Sequence, residues 1–256
     1  MKIYAIANQK GGCAKTTTVV NLAAALARLE KKVVVLDLDP QRNSSSWLGV
    51  PSSNDGAFKL LTNNQFDAST IVSPSNAKNI QALGGSQNMA ILEEFIPSIN
   101  LTSSYFIQAL SKIKNIEADV VLIDTPPTLN SLTLAAIYVS DELLIPVTTH
   151  IMTLEGVAQL LEAIARFDFK NGRSQPVPYS FIASRVDLRT RHSREVLESL
   201  REKFGVKVLK TVIRENIRLA EAPSFRESIF EYEKKSAAAE DFSQLANELT
   251  SNIAGI

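Results

Sequence analysis

The sequence predicts an α/β fold: one domain over residues 1–256, with a mainly parallel, twisted sheet flanked by helices on both faces. Three observations carry this. Short β-branched runs alternate with helix-like segments along the whole chain. The strongest runs, "KVVVLDLD" and "DVVLIDTPP", are almost continuously apolar, as strands covered on both faces must be. No internal repeat or low-complexity linker breaks the alternation.

Taken in order, "KIYAIA" (2–7) reads as a buried first strand. "KTTTVVNLAAALARLE" (15–30) reads as a helix, because apolar residues recur at 19, 22, 23, 26 and 29. "KVVVLDLD" (32–39) is the second strand. The segment 43–78 is rich in Ser and Asn, carries Pro51 and Pro74, and is expected to be polar and loop-rich. "NIQALGG" (79–85) fits a strand and "SSYFIQALSKI" (103–113) a helix. "DVVLIDTPP" (119–127) is the next strong strand. A helix near 131–140, the strand "ELLIPV" (142–147), a helix near 153–168 and the strand "YSFIASRV" (179–186) follow. A helix near 192–204, the strand "VKVLKTVI" (206–213) and a closing helix near 236–253 complete the pattern.

Composition removes several functions. The lone cysteine, Cys13, excludes an intramolecular disulfide and a four-cysteine iron–sulfur cluster. His150 and His192 lack zinc-type spacing. Net charge is zero, so nucleic-acid binding has to come from a local patch. "MKIYAIAN" does not read as a secretory signal, and no window approaches the roughly 18 apolar residues of a membrane span, so the cytosol is the expected compartment.

The loop "NQKGGCAK" (8–15) lies between a strand and a helix, where backbone amides and the helix dipole favour phosphate. Aligned on Lys15 and Thr16, the pattern G-x-x-x-x-G-K-[ST] wants glycines at 9 and 14, yet the chain has Gln9 and Ala14, with glycines at 11 and 12. Lys15 can reach the β- and γ-phosphates, and the Thr16 hydroxyl can ligate Mg²⁺. The bland alternative is a glycine turn before an ordinary helix. Two strand ends weigh against it. Asp37 and Asp39 fall on one face at the tip of the second strand, and Asp124 ends another, as a metal-holding acid does. Each alone is equally a solvated carboxylate. Three such features at three strand ends point to a nucleotide·Mg²⁺ site.

"KGGCAKTT" resembles the deviant Walker A box of the ParA/MinD family of P-loop ATPases, K-G-G-x-x-K-[ST]. "LDLDPQRN" resembles that family's D-x-D-P-Q-G-N motif, and "LIDTPP" its Walker B strand. The likeness continues through "LEG" (154–156) and "IRLAEAPSF" (217–225), as in small chromosomal members without an N-terminal helix-turn-helix.

The resemblance implies a P-loop fold, slow Mg²⁺-dependent ATP hydrolysis and an ATP-dependent nucleotide-sandwich homodimer. Lys10 would reach across the dimer to the partner's phosphates, making hydrolysis depend on dimerisation. Lys15 and Asp39 would complete the catalytic set, Asp39 orienting the attacking water. Thr16, Asp39 and Asp124 would serve the metal. Gly11, Gly12, Cys13, Ala14 and Thr17 would line the phosphate site, and Pro223 would belong to an adenine-side loop. Two positions depart from the pattern. Ala14 replaces the commoner glycine and is expected to need a negative φ. Arg42 replaces the glycine of "PQGN" and is expected at the γ-phosphate side or the dimer seam. The proline–arginine–asparagine run of the family reads "VIREN" here.

Between 185 and 218 stand ten basic and five acidic residues, a local excess of five. This is either a solvated helix face with i,i+4 pairs such as Arg194–Glu198, or a patch that neutralises DNA phosphates without reading sequence. The resemblance favours non-specific double-stranded DNA, with Arg189 and Arg218 first and Arg191 and Lys210 after them. It also implies nucleoid association and a ParB-like or cargo-adaptor protein that stimulates hydrolysis. A membrane-bound positioning ATPase is one alternative. The C-terminal segment has no Lys or Arg after Lys235, so membrane binding is not expected. A metabolic P-loop enzyme is the other alternative.

Overall fold

The computed structural model describes residues 1–63, 65–75, 77–95, 103–149 and 154–254. Its first half runs β1 (Lys2–Ile6), α1 (Lys15–Arg28), β2 (Val33–Asp37), α2 (Asn43–Trp47), α3 (Gly56–Thr62), β3 (Ser73–Pro74), β4 (Ile80–Leu83), α4 (Met89–Phe95) and α5 (Ser103–Ser111). The second half runs β5 (Val120–Asp124), α6 (Ser131–Val139), β6 (Glu142–Thr148), α7 (Leu154–Lys170), β7 (Tyr179–Val186), α8 (Arg191–Phe204), β8 (Val208–Arg214), α9 (Arg218–Phe225), α10 (Ile229–Tyr232) and α11 (Ala237–Ala254).

The strands form one sheet in the order β3-β4-β2-β5-β1-β6-β7-β8. Each neighbouring pair is parallel except β3 with β4. Alternation along each strand divides its side chains between two layers. Tyr4, Ile6, Val33, Val35 and Leu122 face α1 and α11, whereas Val34, Leu36, Val121 and Ile123 face the layer built by α3, α5 and α6. The continuous apolar runs of the sequence follow from this two-sided cover.

The segment expected to be loop-rich carries α2, α3 and β3. Short helices with little apolar periodicity escape sequence reading, because tertiary contacts supply their stability. Trp47, the last residue of α2, is buried and donates its indole N–H to the Glu227 carbonyl at 2.6 Å.

The β8 edge is closed by α11. Glu248 accepts the Lys210 and Thr211 amides at 2.7 and 2.9 Å, and Asp241 accepts the Arg214 amide at 2.9 Å. Carboxylates thereby satisfy edge N–H groups that would otherwise invite another strand. Phe242, Leu245, Ala246 and Leu249 bury the apolar face of α11 against α1 and β8. No helix among the described residues is long and apolar enough to cross a membrane.

Candidate active site

β1 and β5 are neighbours, and the connection from β1 to β2 runs to one side of the sheet while that from β5 to β6 runs to the other. A crevice opens at such a switch point beyond the strand ends. The loop after β1 occupies it. Asn8 anchors the loop, donating its side-chain N–H to the Pro146 carbonyl at 2.7 Å and accepting the Lys10 amide at 3.1 Å. Gly12 takes φ 74°, a conformation glycine adopts without strain.

Ala14 also adopts the left-handed conformation, with φ 69° and ψ 31°. This corrects the expected negative φ. The chain has to turn sharply before α1 can start, and the Thr18 amide donating to the Ala14 carbonyl at 2.8 Å fixes that turn. The β-carbon of Ala14 makes it costlier than glycine would be.

The two lysines of the loop have opposite environments. Lys15 opens α1 and is buried, whereas Lys10 is exposed, as are Gly11 and Gly12. Cys13 is buried, and burial raises its thiol pKa, which disfavours the reactive thiolate.

β2 and β5 are neighbours, and Asp37 is in register with Asp124. The Thr16 hydroxyl donates to Asp124 Oδ2 at 3.0 Å, while Asp124 Oδ1 is buried with no hydrogen-bond partner. Burial first, and then the Asp37 charge, push the Asp124 carboxyl up to about 8. Burial likewise raises Asp37. Hard oxygen donors, an orphaned buried carboxylate oxygen and adjoining acids suit a small divalent cation. Among the described residues no three acidic, thiol or imidazole groups form a metal cage. Mg²⁺ needs none, since it takes one or two carboxylates and completes its shell with phosphate and water.

The two acids of "LDLD" separate in role. Asp37 ends β2, and its carboxylate accepts the Ser45 amide, the Ser45 hydroxyl and the Asp39 amide. Asp39 lies two residues past the strand, in the turn leading to α2, and its Oδ1 accepts the Gln41 amide at 2.9 Å. Arg42 follows Asp39 in the same turn. Its guanidinium folds back into its own chain, donating to the Gly85 carbonyl at 2.6 Å and the Pro51 carbonyl at 2.9 Å.

A cavity of about 400 Å³ adjoins the loop, lined in part by Gly12, Thr17, Arg185, Asn216, Ile217 and Ala220. That volume suits a nucleoside-sized group. The segment expected as an adenine-side loop is instead helical from Arg218. Pro223 sits inside α9 and is not among the residues lining the cavity. Arg185 also reaches this site, without a motif in the sequence to mark it. It has φ 54°, donates to the Gly12 carbonyl at 3.4 Å and pairs with Glu215 at 3.1 Å. The signal was Glu215, an acid in "VIREN" where the family pattern has arginine.

The candidate DNA cations do not all meet. Arg189, Arg191 and Arg218 lie beyond the C-terminal ends of the neighbouring strands β7 and β8. Lys210 lies in the first half of β8. Arg189 pairs with Asp187 at 2.8 Å, Arg191 with Glu195 at 2.6 Å and Arg218 with Glu221 at 2.8 Å. The Arg194 guanidinium donates to the Leu188 carbonyl at 3.3 Å. His150 lies outside the described residues, as do the side chains of Leu154 and Glu155 in "LEG".

A glycine-bearing loop at the switch point, its buried lysine and the acids of β2 and β5 define the class: a P-loop nucleoside triphosphatase. Known proteins narrow it. A family model described as an AAA domain matches residues 1–174. The sporulation initiation inhibitor protein Soj of Bacillus subtilis is 36% identical over 98% of this chain and 99% of its own. The chromosome-partitioning ATPase Soj of Thermus thermophilus is 34% identical over 97% of this chain and 95% of its own. Cobyrinic acid a,c-diamide synthase from Mycobacterium smegmatis, solved with ADP and magnesium, superposes with a TM-score of 0.81. It is 26% identical and covers 99% of this chain and 96% of that one. The chain belongs to the ParA/MinD family of P-loop ATPases, and ATP and Mg²⁺ are its cofactors.

Proposed function

We propose that this ATPase is a partition or positioning switch that dimerises on ATP, coats non-specific double-stranded DNA and is released when a partner stimulates hydrolysis. The observation that carries the reading is the pair of loop lysines, one buried at the start of α1 and one exposed on the loop. A buried cation serves the nucleotide of its own subunit. An exposed one lies on the surface that a second subunit would meet. The near full-length likeness to Soj proteins supports the same reading.

In this scheme the loop amides from Gly11 to Thr17 hold the phosphates, and Lys15 neutralises the β- and γ-oxygens. Thr16 and Asp124 would hold Mg²⁺, with Asp39 at its edge. When bound, Mg²⁺ offsets charge on the transferred phosphoryl group. Asp39 positions the attacking water, and Lys10 of the opposite subunit stabilises the transition state. Arg189, Arg191 and Arg218 supply the DNA surface, and a ParB-like or adaptor protein supplies the trigger. The buried apolar face of α11 argues against the membrane-bound alternative, because little of it is left to enter a lipid surface. The likeness to the diamide synthase favours a second reading, a metabolic enzyme acting beside the same ATP site.

The test is binding to a random-sequence duplex with no nucleotide, ADP, ATP or a slowly hydrolysed ATP analogue, over a salt series. Binding confined to ATP and the analogue, steeply weakened by salt and lost in Arg218→Glu, is the expected result. Equal or absent binding in every state removes the DNA switch and leaves the metabolic reading.

A further inference from the structure

We propose that Arg42 is a positioning residue for ATP hydrolysis, holding in place the turn that presents Asp39. The inference rests on the assignment of Asp39 as the water-orienting carboxylate.

Arg42 adopts φ 56° and ψ 33°, a left-handed conformation that a residue with a β-carbon enters only under strain. Strain kept at the edge of a reactive site calls for an explanation in contacts. The contacts are specific. The Arg42 amide donates to the Asp39 carbonyl at 3.0 Å and closes the turn 39–42. Its guanidinium then spans two other segments, meeting the Gly85 carbonyl at 2.6 Å and the Pro51 carbonyl at 2.9 Å.

Gly85 is itself tied to the acid cluster. Its amide donates to the Ser45 hydroxyl at 2.9 Å, and that hydroxyl donates to Asp37 Oδ2 at 2.5 Å. Asp37 Oδ1 accepts the Asp39 amide at 3.1 Å. The chain of bonds thus closes on itself: Asp39, Arg42, Gly85, Ser45, Asp37 and back to Asp39. Gly85 packs so closely that an added β-carbon would lie 3.0 Å from the Asp37 carboxyl carbon. The ring has little slack, and the Arg42 side chain fastens its outer side. A planar fork with several donors can hold two carbonyls at once, which an ammonium cannot do as well.

Holding Asp39 before ATP arrives reduces the ordering needed at the moment of reaction. The effect belongs to turnover and not to nucleotide affinity, because Arg42 contacts backbone carbonyls behind the turn.

The experiment is steady-state phosphate release by the full chain with Mg²⁺·ATP, in wild type, Arg42→Gly, Arg42→Lys and Asp39→Ala, with Tm measured on each. Glycine enters the left-handed turn freely, so Arg42→Gly is expected to fold. Its kcat is expected to fall roughly tenfold with KM within about twofold of wild type, the size of effect that small misplacements produce. Arg42→Lys is expected to recover part of the loss. Wild-type or higher kcat in Arg42→Gly overturns the proposal. So does a fall matched by a rise in KM or a collapse of Tm, which assigns Arg42 to folding. Asp39→Ala separates the two claims. If it turns over like wild type, the assignment of Asp39 fails and the Arg42 proposal fails with it. If it is silent while Arg42→Gly is normal, only the Arg42 proposal fails.

Discussion

The hydroxyl of Thr16 donates to Asp124 Oδ2 at 3.0 Å, joining the first turn of α1 to the tip of β5 across 108 residues. Burial and the neighbouring Asp37 hold Asp124 up to about 8. The folded pKa exceeds the unfolded value of about 4. This group's contribution to stability is therefore fully present below about pH 4 and is lost as pH rises through the folded value. Binding Mg²⁺ requires the ionised form, so it displaces a proton below that value. The rise in Tm produced by Mg²⁺ with ADP is expected to be larger at pH 8.5 than at pH 6.5. Equal shifts at both would show that Asp124 is not the group that titrates.

Ala14 is strained where glycine would be free. Ala14→Gly is expected to stabilise the fold by about 1 kcal/mol. For a domain of this size that is a Tm increase of roughly 2–4 °C. A denaturant series on the nucleotide-free protein checks it, and a loss of stability would contradict the strain.

The loop lysines are expected to fail differently. Lys15→Ala removes the buried cation, so ATP binding is lost. Lys10→Ala keeps ATP binding by the monomer but loses ATP-dependent dimerisation and hydrolysis. Titration with a fluorescent nucleotide and sedimentation velocity together read this out. Loss of nucleotide binding in Lys10→Ala would place that lysine on its own subunit's phosphates.

Arg214 sits in the basic stretch but is committed elsewhere. Its guanidinium meets Asp241 at 2.6 Å and Glu240 at 3.0 Å, tying β8 to α11. Asp241 is buried, so Asp241→Asn leaves the guanidinium and the β8 amide poorly matched. The Arg214 side chain is 37% exposed, which moderates the loss to about 2 kcal/mol. Urea unfolding measures it. DNA binding by the folded variant is expected to stay at the wild-type level.

The strands were legible because two-sided burial demands continuous apolar residues. "YSFIASRV" matches β7 residue for residue, and "KVVVLDLD" overruns β2 by three positions in total. The short helices α2, α3, α9 and α10 were not legible. Their local sequence has little periodicity, and contacts such as Trp47 with Glu227 decide them. Arg185 was hidden for a similar reason: its partners, Gly12 and Glu215, come from other parts of the chain.

By itself the sequence determined the α/β class, the phosphate loop, the acids at the strand ends and the family. These are local patterns of residue type and spacing, and each is written in a few consecutive positions. Tertiary structure decided the rest. It put Ala14 into a left-handed turn, turned Arg42 inward onto Gly85 and Pro51, and gave Asp37 to Ser45 while leaving Asp39 in the turn. It also sorted the ten basic residues of 185–218, committing Arg185 to the cavity beside the loop after β1 and Arg214 to α11, with Arg189 and Arg218 at the surface. Charge can be counted along a chain, but the direction in which a long side chain points depends on which distant acids and carbonyls the fold brings within its reach.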